Sequence, residues 1–293
     1  MSSTLSNLTY FVVNQANGVK GLADLNLTTV PPQYIQPLQA RFFELPAVVK
    51  KSFKENSPPE VVRLGTSSPH SELVLEWKDY LQLVYASEEK IHAHWPAICK
   101  QLKGKYYNRK LKDSLKPTKT AKGAYKKLNV KKLDQAREDT LMGTMILGFN
   151  YYPACPEPEV VSGVAPHSDI SSITVLLQDD IAGLYVRGSD GDSWIHVPPV
   201  EGALVINIGD VLQIMSNERY KSIEHRVVAN KRKTRISIPA FVNPAPDAVI
   251  GPLSEVLETG DKPKYKQLLY SDYFKYFFSK AHDGKKTIEF AMI

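Results

Sequence analysis

Cysteine is scarce in this chain, and long apolar runs are missing from it. Cys99 and Cys155 are the only cysteines among 293 residues, too few for the disulfide framework of a small secreted domain, so we expect both to remain reduced thiols. Near the amino terminus the apolar stretch 10–13 is four residues long, far below the length of a membrane span or of a signal-peptide core. We therefore expect a cytoplasmic protein with no membrane segment.

The chain does contain a histidine and an aspartate two residues apart, and a second histidine follows downstream. In an extended segment alternate side chains share a face, so His167 and Asp169 can approach one ion while Ser168 points away. His225 would complete a set of two imidazoles and one carboxylate, which occupies one face of an octahedral metal and leaves the other positions open. This set suits a non-haem Fe(II) that handles O2, and it predicts an enzyme.

A second pattern lies ten residues beyond His225. The β-branched run 234–238 predicts a strand with Arg235 and Ser237 on one face. A planar guanidinium beside a hydroxyl is suited to binding a carboxylate. The run 222–228 predicts the preceding strand, so we expect a hairpin that brings His225 and Arg235 close together.

Three aromatic or imidazole side chains near these strands have simpler interpretations. Phe241 continues the face of Arg235, where it could stack on an aromatic substrate, although a core phenylalanine explains it equally well. Trp194 is expected to pack, and His196 is expected to be exposed rather than to act as a fourth ligand.

Other candidate ligands are weaker. His70 and Glu72 repeat the spacing of the proposed pair without any matching partner. His92 and His94 lie in a segment with helical character, and residues two apart on a helix diverge. Cys155 stands among prolines beside a complete set of His and Asp ligands, so we expect it to be structural.

Short apolar runs alternate with Gly, Pro and Asp turns across residues 144–243. This pattern is typical of a β-sandwich or barrel. Helix is expected at 75–85 and 133–142, and the aromatic and basic spacing of 265–281 predicts an amphipathic helix. The fold class is therefore mainly β with flanking helices, in one globular body.

The order of these elements, from 150–156 through the His-x-Asp, His and Arg-x-Ser motifs to 282–286, resembles the plant 2-oxoglutarate- and Fe(II)-dependent dioxygenases. Within that family, segments 17–22, 75–80 and 209–217 are similar to the hydroxycinnamoyl-CoA ortho-hydroxylases. Those enzymes hydroxylate feruloyl-CoA or p-coumaroyl-CoA beside the side chain and lead to coumarins. The resemblance implies a double-stranded β-helix, or jelly roll.

The resemblance also implies the organisation of the chain and its site. The jelly-roll core would span 141–243, after a helical and irregular region at 1–140 and before a helical segment at 244–293 that packs on the core. The implied iron ligands are His167, Asp169 and His225. The residues implied to bind 2-oxoglutarate are Arg235, Ser237 and the hydroxyl of Tyr152. Fe(II), 2-oxoglutarate and O2 would be required, with ascorbate as reductant.

The chain departs from this family in three places. Relatives carry a block with two strands and a long helix between segments like 36–38 and 42–46, whereas here 40–42 joins the two ends. Loss of core strands exposes sheet edges and apolar surface, so we expect an incomplete core. Gly and Pro interrupt the family's long helix within 100–132, and 146–149 is apolar where relatives have polar or basic residues.

Positive charge is concentrated in the segment 100–132, which holds thirteen Lys or Arg and one Asp in a chain of net charge +6. Such a cluster could attract the phosphates of a coenzyme A thioester or a nucleic acid, but a solvated surface is the simpler interpretation. No recognised nucleic-acid module accompanies it. We expect a monomer that binds a small aromatic substrate, with no nucleic-acid partner.

Three hypotheses follow. The first is a hydroxycinnamoyl-CoA ortho-hydroxylase. The second keeps the chemistry and changes the substrate to a coumarin or flavonoid ring. The third is a shortened, catalytically silent protein that binds metal.

Overall fold

The computed structural model describes residues 42–43, 45–58, 61–66, 76–85, 93–96, 123–128, 130, 135–258, 260–280 and 282–293. All of them belong to one compact unit, Leu38–Ile293. The predictions for 17–22, His70, Glu72, His92 and Cys99 lie outside the described residues, as do most of the segment 100–132 and the junction 36–41.

The described part of the chain contains strands throughout its length. In chain order they are β1 Val62–Thr66, β2 Asp79–Tyr85, β3 Thr144–Tyr152, β4 Val164–His167, β5 Ile173–Gln178, β6 Leu184–Arg187, β7 Trp194–His196, β8 Val205–Ile208, β9 His225–Val227, β10 Arg235–Asn243, β11 Val249–Ile250 and β12 Leu268–Leu269. The helices are α1 Ala47–Asn56, α2 Gln135–Met142, α3 Asp210–Met215, α4 Ser254–Leu257 and α5 Tyr270–Phe278, followed by a 3-10 helix at Lys286–Ala291.

Two antiparallel sheets form the β-sandwich. The large sheet has six strands in the order β1-β2-β3-β10-β5-β8, and the small sheet has four in the order β4-β9-β6-β7. A separate pair joins β11 and β12. This composition confirms the mainly β fold class, and α2 and α5 lie within the segments that were predicted to be helical.

The two faces of the large sheet have different surroundings because side chains alternate along each strand. On β10, Ile238, Ala240 and Val242 contact the main apolar core, which also contains residues of α3 and α5. Arg235 and Phe241 point the other way and line a cavity. A smaller apolar cluster contains residues of both sheets: Tyr152, Val164, Leu176, Leu184 and Val227.

The helix predicted at 75–85 is wrong, because Asp79–Tyr85 is a strand that pairs with both β1 and β3. Its period is two: Leu81 and Leu83 are buried in the main core, whereas Tyr80 and Gln82 line the cavity. Alternating burial on two faces stabilises a central strand and cannot be met by a helix.

The predicted hairpin of the two motif strands is also wrong. β9 pairs with β4 and β6 in the small sheet, whereas β10 pairs with β3 and β5 in the large sheet. The segment between β9 and β10 therefore crosses from the small sheet to the large sheet. His225 and Arg235 face the same cavity from different sheets and do not lie on paired strands.

None of the described helices combines the length and the apolar character that crossing a membrane requires.

Candidate functional site

A cavity of about 840 Å³ lies between the two sheets. The small sheet contributes His167 and His225 to its wall, and the large sheet contributes Arg235 and Ser237. The cavity therefore brings together the two patterns that the sequence placed on separate strands.

The His-x-Asp pair and the second histidine converge at one end of the small sheet. His167, the last residue of β4, is the register partner of His225, the first residue of β9. The Nε2 atom of each histidine lies 3.8 Å from Oδ1 of Asp169. One ligand atom from each of the three residues falls within 4.8 Å of the others, a spacing that a single ion can bridge.

Hydrogen bonds orient both imidazoles toward that point. Nδ1 of His167 lies 2.8 Å from the carbonyl oxygen of Ala165, and Nδ1 of His225 lies 3.3 Å from that of Ile223. A carbonyl only accepts, so each Nδ1 donates and each Nε2 keeps a lone pair for a metal. Burial, and then the neighbouring His225 and His282, hold the pKa of His167 well below its usual value, so this imidazole stays in the neutral form that binds metals.

The carboxylate of Asp169 supplies a test of whether an ion fits. Its Oδ2 is buried and has no hydrogen-bond partner among the residues that the structure describes. A buried carboxylate oxygen without a donor is unfavourable in a folded protein, and a divalent cation would satisfy it. Two neutral imidazoles and one carboxylate are also the donor set that suits Fe(II).

Arg235 is the corresponding feature of the large sheet. Its side chain is fully buried, and Nη2 donates to Oε1 of Gln178 at 3.0 Å. Nε and Nη1 have no partner within the described part of the chain. A buried guanidinium with unused donors is suited to a carboxylate, which can accept two parallel hydrogen bonds.

The surroundings of Arg235 explain its position. Its guanidinium carbon lies 5.2 Å from the ring centroid of Tyr152, its register partner on β3. On the other side Gly183 leaves the space for the arginine, since an added Cβ there would lie 3.0 Å from Cδ of Arg235 and 2.7 Å from the carbonyl oxygen of Val228.

The other residues that the sequence singles out lie partly inside and partly outside the cavity. Ser237, Tyr152 and Phe241 all line the cavity. Trp194 packs against two arginines, with the guanidinium carbons of Arg187 and Arg226 at 3.9 and 4.4 Å from its ring centroid. The remaining two candidates do not belong to the His-Asp-His group: His196 is exposed, and Cys155 is a buried free thiol.

Among the cavity residues that the sequence reasoning missed are Glu76, Lys78 and His282. Glu76 lies 3.0 Å from Nδ1 of His282 and 2.7 Å from Nζ of Lys78, and the ring of His282 stacks on His167 with centroids 4.6 Å apart. The sequence does contain a signal for two of them. Glu76 and Lys78 continue the alternation of Tyr80 and Gln82 in β2, and all four residues line the cavity.

The sequence reasoning also missed a buried carboxylate, that of Asp210, next to the His-Asp-His group. Asp210 accepts hydrogen bonds from the hydroxyls of Ser168 at 3.1 Å, Ser222 at 2.5 Å and Tyr273 at 2.9 Å. Ser168 lies between His167 and Asp169, and Ser222 precedes His225 by three residues. Burial raises the pKa of Asp210, and the three donors offset part of that cost.

Comparisons with known proteins agree with this geometry. Residues 143–244 match the model of the 2OG-Fe(II) oxygenase superfamily. Feruloyl CoA ortho-hydroxylase F6H1-3 of Ipomoea batatas is 46% identical, with 100% of this chain and 99% of the relative covered. Feruloyl CoA ortho-hydroxylase 1 of Arabidopsis thaliana is 44% identical, with 99% and 97% covered. A bi-functional coumaroyl CoA and feruloyl CoA ortho-hydroxylase of Ipomoea batatas, F6H2-1-1, is 44% identical, with 100% and 98% covered.

Among solved structures, JOX2 in complex with 2OG, Fe and JA is 29% identical with a TM-score of 0.69, covering 90% of this chain and 79% of that one. The rice dioxygenase for auxin oxidation, at 22% identity and a TM-score of 0.66, covers 90% and 87% and shows the same fold. These similarities confirm the jelly roll.

The comparison also confirms that the chain is short for its relatives. The alignment with F6H1-3 runs over 356 positions, whereas this chain has 293 residues. The excess of 63 positions corresponds to residues that the relative has and this chain lacks.

Proposed function

Because this chain belongs to the 2OG-Fe(II) oxygenase superfamily, we propose that it hydroxylates the aromatic ring of feruloyl-CoA or p-coumaroyl-CoA, ortho to the side chain, and so leads to coumarins. The chain is an oxidoreductase that depends on Fe(II) and 2-oxoglutarate. The choice of substrate rests on the relatives that are named for these two thioesters.

The observation that carries the proposal is that one cavity holds both the His-Asp-His group and the buried guanidinium of Arg235, two of whose nitrogens have no partner among the described residues. In the proposed assignment, His167, Asp169 and His225 hold Fe(II). Arg235 and Ser237 bind the distal carboxylate of 2-oxoglutarate, and the hydroxyl of Tyr152 is a further donor to it.

Bound Fe(II) and 2-oxoglutarate supply the oxidation of the ring by O2, with succinate and CO2 as the other products. The protein's own residues orient and enclose these groups. Arg235 fixes the far end of 2-oxoglutarate because its planar fork matches a carboxylate, and its full burial keeps water from competing for the same donors.

An aromatic wall of the cavity suits a phenylpropanoid ring. Phe241 of β10 and Phe274 and Phe277 of α5 line it, and we propose that the substrate ring packs there. Ile146 adds an apolar contact to the cavity wall. Cytoplasmic location and a monomeric state remain part of this proposal.

Anaerobically purified protein supplied with Fe(II), ascorbate, 2-oxoglutarate and feruloyl-CoA, then exposed to O2, tests the function by mass spectrometry. We expect succinate and the ortho-hydroxylated product, or its coumarin, in equal amounts. Parallel reactions with p-coumaroyl-CoA and with free coumarin or flavonoid rings separate the substrates. Succinate without hydroxylated thioester would contradict the substrate assignment, and neither product from folded, iron-loaded protein would contradict the activity itself.

A further inference from the structure

The strand that carries His167 is irregular at the residues just before it. β4 pairs with β9 at Val164–Val227 and at His167–His225, and the register shifts between these two pairs. Three steps along β4 therefore face two steps along β9, which is a β-bulge. A bulge leaves backbone groups without ladder partners and re-aims the next side chain. Here the re-aimed side chain is that of His167.

The backbone of the bulge needs partners from elsewhere, because unpaired buried N–H and C=O groups are costly. The N–H of Ala165 donates to Oε1 of Glu76 at 2.7 Å. Pro166 has no N–H, and its carbonyl oxygen accepts from the N–H of Gly284 at 2.9 Å. Two segments far apart in sequence thus replace the missing ladder contacts.

Glu76 acts on His167 through two routes. The carbonyl of Ala165, whose N–H the carboxylate holds, accepts the Nδ1 hydrogen bond of His167 at 2.8 Å. The same carboxylate lies 3.0 Å from Nδ1 of His282, and that ring is nearly parallel to the ring of His167, with an interplanar angle of 11°.

The carboxyl group of Glu76 is ionised in its buried position. The residue is 9% exposed, and its carboxylate forms an ion pair with Lys78 at 2.7 Å. Burial raises its pKa, but the hydrogen bond with His282 and the charge of Lys78 outweigh that effect and lower the pKa to about 2. As an ionised carboxylate it only accepts, so Nδ1 of His282 donates to it and the stacked orientation is defined.

We propose that Glu76 is a positioning residue for His167, which it aims by holding the bulged backbone at Ala165 and the stacked ring of His282. This inference rests on the proposed function, since it takes His167 as an iron ligand. The motif segment 75–80 contains none of the residues proposed to bind iron or 2-oxoglutarate, and Glu76 gives this segment a role beside His167. It also links the upstream part of this shortened chain to the metal centre.

The test compares Fe(II) affinity, measured anaerobically by equilibrium dialysis, in the wild-type protein, Glu76→Ala and Glu76→Gln. Loss of a group that orients a metal ligand costs about ten- to a hundredfold in affinity, and we expect a loss in this range for Glu76→Ala. Glu76→Gln keeps an oxygen that can accept from Ala165 and His282, so we expect a smaller loss.

Glu255→Gln is the matched control. Glu255 forms two hydrogen bonds with Arg137, the shorter at 2.5 Å, and this partner likewise lowers its pKa to about 2. Glu255 is not among the residues that line the cavity. We expect this variant to lose some thermal stability and to keep wild-type Fe(II) affinity.

A second measurement needs no metal. Amide hydrogen exchange of the metal-free protein should rise in the peptide containing Ala165 in Glu76→Ala and stay unchanged there in Glu255→Gln. If Glu76→Ala does not fold, Glu76→Gln carries both measurements, with intermediate effects expected.

Unchanged exchange at Ala165 together with Fe(II) affinity within about twofold of the control would overturn the inference. If the wild-type protein binds no Fe(II), the proposed function is wrong, but the role of Glu76 is still tested, because the exchange measurement shows whether Glu76 holds the bulge.

Discussion

The two sheets of the sandwich hold their halves of the site by different means. The small sheet presents His167 and His225 at the ends of short strands, one of them bulged. Glu76 holds the backbone N–H of Ala165, His282 stacks on the ring of His167, and Asp210 accepts from the hydroxyl of Ser168. The large sheet presents Arg235 on a nine-residue strand that is paired on both sides.

This difference follows from what each ligand requires. A metal ion needs three atoms at defined angles, which a regular ladder does not supply, so the backbone departs from regularity and other side chains satisfy it. A carboxylate needs one guanidinium whose N–H donors are already in place, and the strict alternation of side chains along a central strand is enough to orient that guanidinium. The small sheet should therefore control iron, and the large sheet should control 2-oxoglutarate.

The largest effect is expected from His225→Ala. Removing one of three protein ligands should weaken Fe(II) binding by more than about a hundredfold, beyond the loss caused by a supporting residue. Anaerobic Fe(II) titration measures it. His196→Ala changes an exposed histidine of the same sheet and should bind Fe(II) as the wild type does; equal affinities in the two variants would disprove the ligand assignment.

Arg235→Lys should weaken the binding of 2-oxoglutarate without changing the binding of Fe(II). Lysine keeps the positive charge but has no planar fork, and a hydrogen bond to a charged group contributes about 1.5–3 kcal/mol. We expect the 2-oxoglutarate concentration for half-maximal succinate formation to rise about ten- to a hundredfold, with Fe(II) affinity unchanged. Arg232→Lys, at an exposed position two residues past Asn230, is the control, and an unchanged requirement for 2-oxoglutarate in Arg235→Lys would rule out the carboxylate site.

Gly183→Ala sharpens the comparison because Gly183 precedes β6 of the small sheet yet contacts Arg235. The added methyl would lie 2.7 Å from the carbonyl oxygen of Val228 and 3.0 Å from Cδ of Arg235, an overpacking that costs about 1–3 kcal/mol. We expect a severalfold higher 2-oxoglutarate requirement and a lower melting temperature, with normal Fe(II) binding. In Gly123→Ala the new methyl meets none of the described atoms within 4 Å, and this variant should behave as the wild type. Weaker binding of Fe(II) instead of 2-oxoglutarate in Gly183→Ala would contradict the separation of the two halves.

The smallest effect is expected from a pair outside both sheets, Arg137 of α2 and Glu255 of α4. Arg137 lowers the pKa of Glu255 from 4.5 to about 2. A carboxyl with a depressed pKa in the folded state stabilises the protein above its unfolded pKa, and this contribution is lost as the pH falls through 4.5 toward 2. Denaturant unfolding should show Glu255→Gln less stable by on the order of 1 kcal/mol at neutral pH, with the difference disappearing near pH 2. A difference that grows on acidification would contradict the sign.

The sequence predicted the strands of the core better than it predicted their partners. Runs such as Ile173–Gln178 and Leu184–Arg187 are strands inside the region 144–243 where the sequence predicts short strands, because their apolar, turn-bounded character is local. The sequence predicts a helix where Asp79–Tyr85 forms a strand, because polar residues that line the cavity obscure its period of two. The contacts of Glu76 and His282 next to His167 were missed for a related reason: the two residues are 206 positions apart, and nothing in either segment indicates the other.

The sequence by itself determined which residues are chemically able to serve: a His-x-Asp pair, a second histidine, and an arginine two positions before a serine. Spacing along one strand decides which side chains share a face, and that is a local property. Only the tertiary structure decided that His225 and Arg235 lie in different sheets, that His167 follows a bulge, and that Glu76 supplies the missing backbone partner. Sheet membership and register depend on pairing between distant segments, which local pattern does not specify.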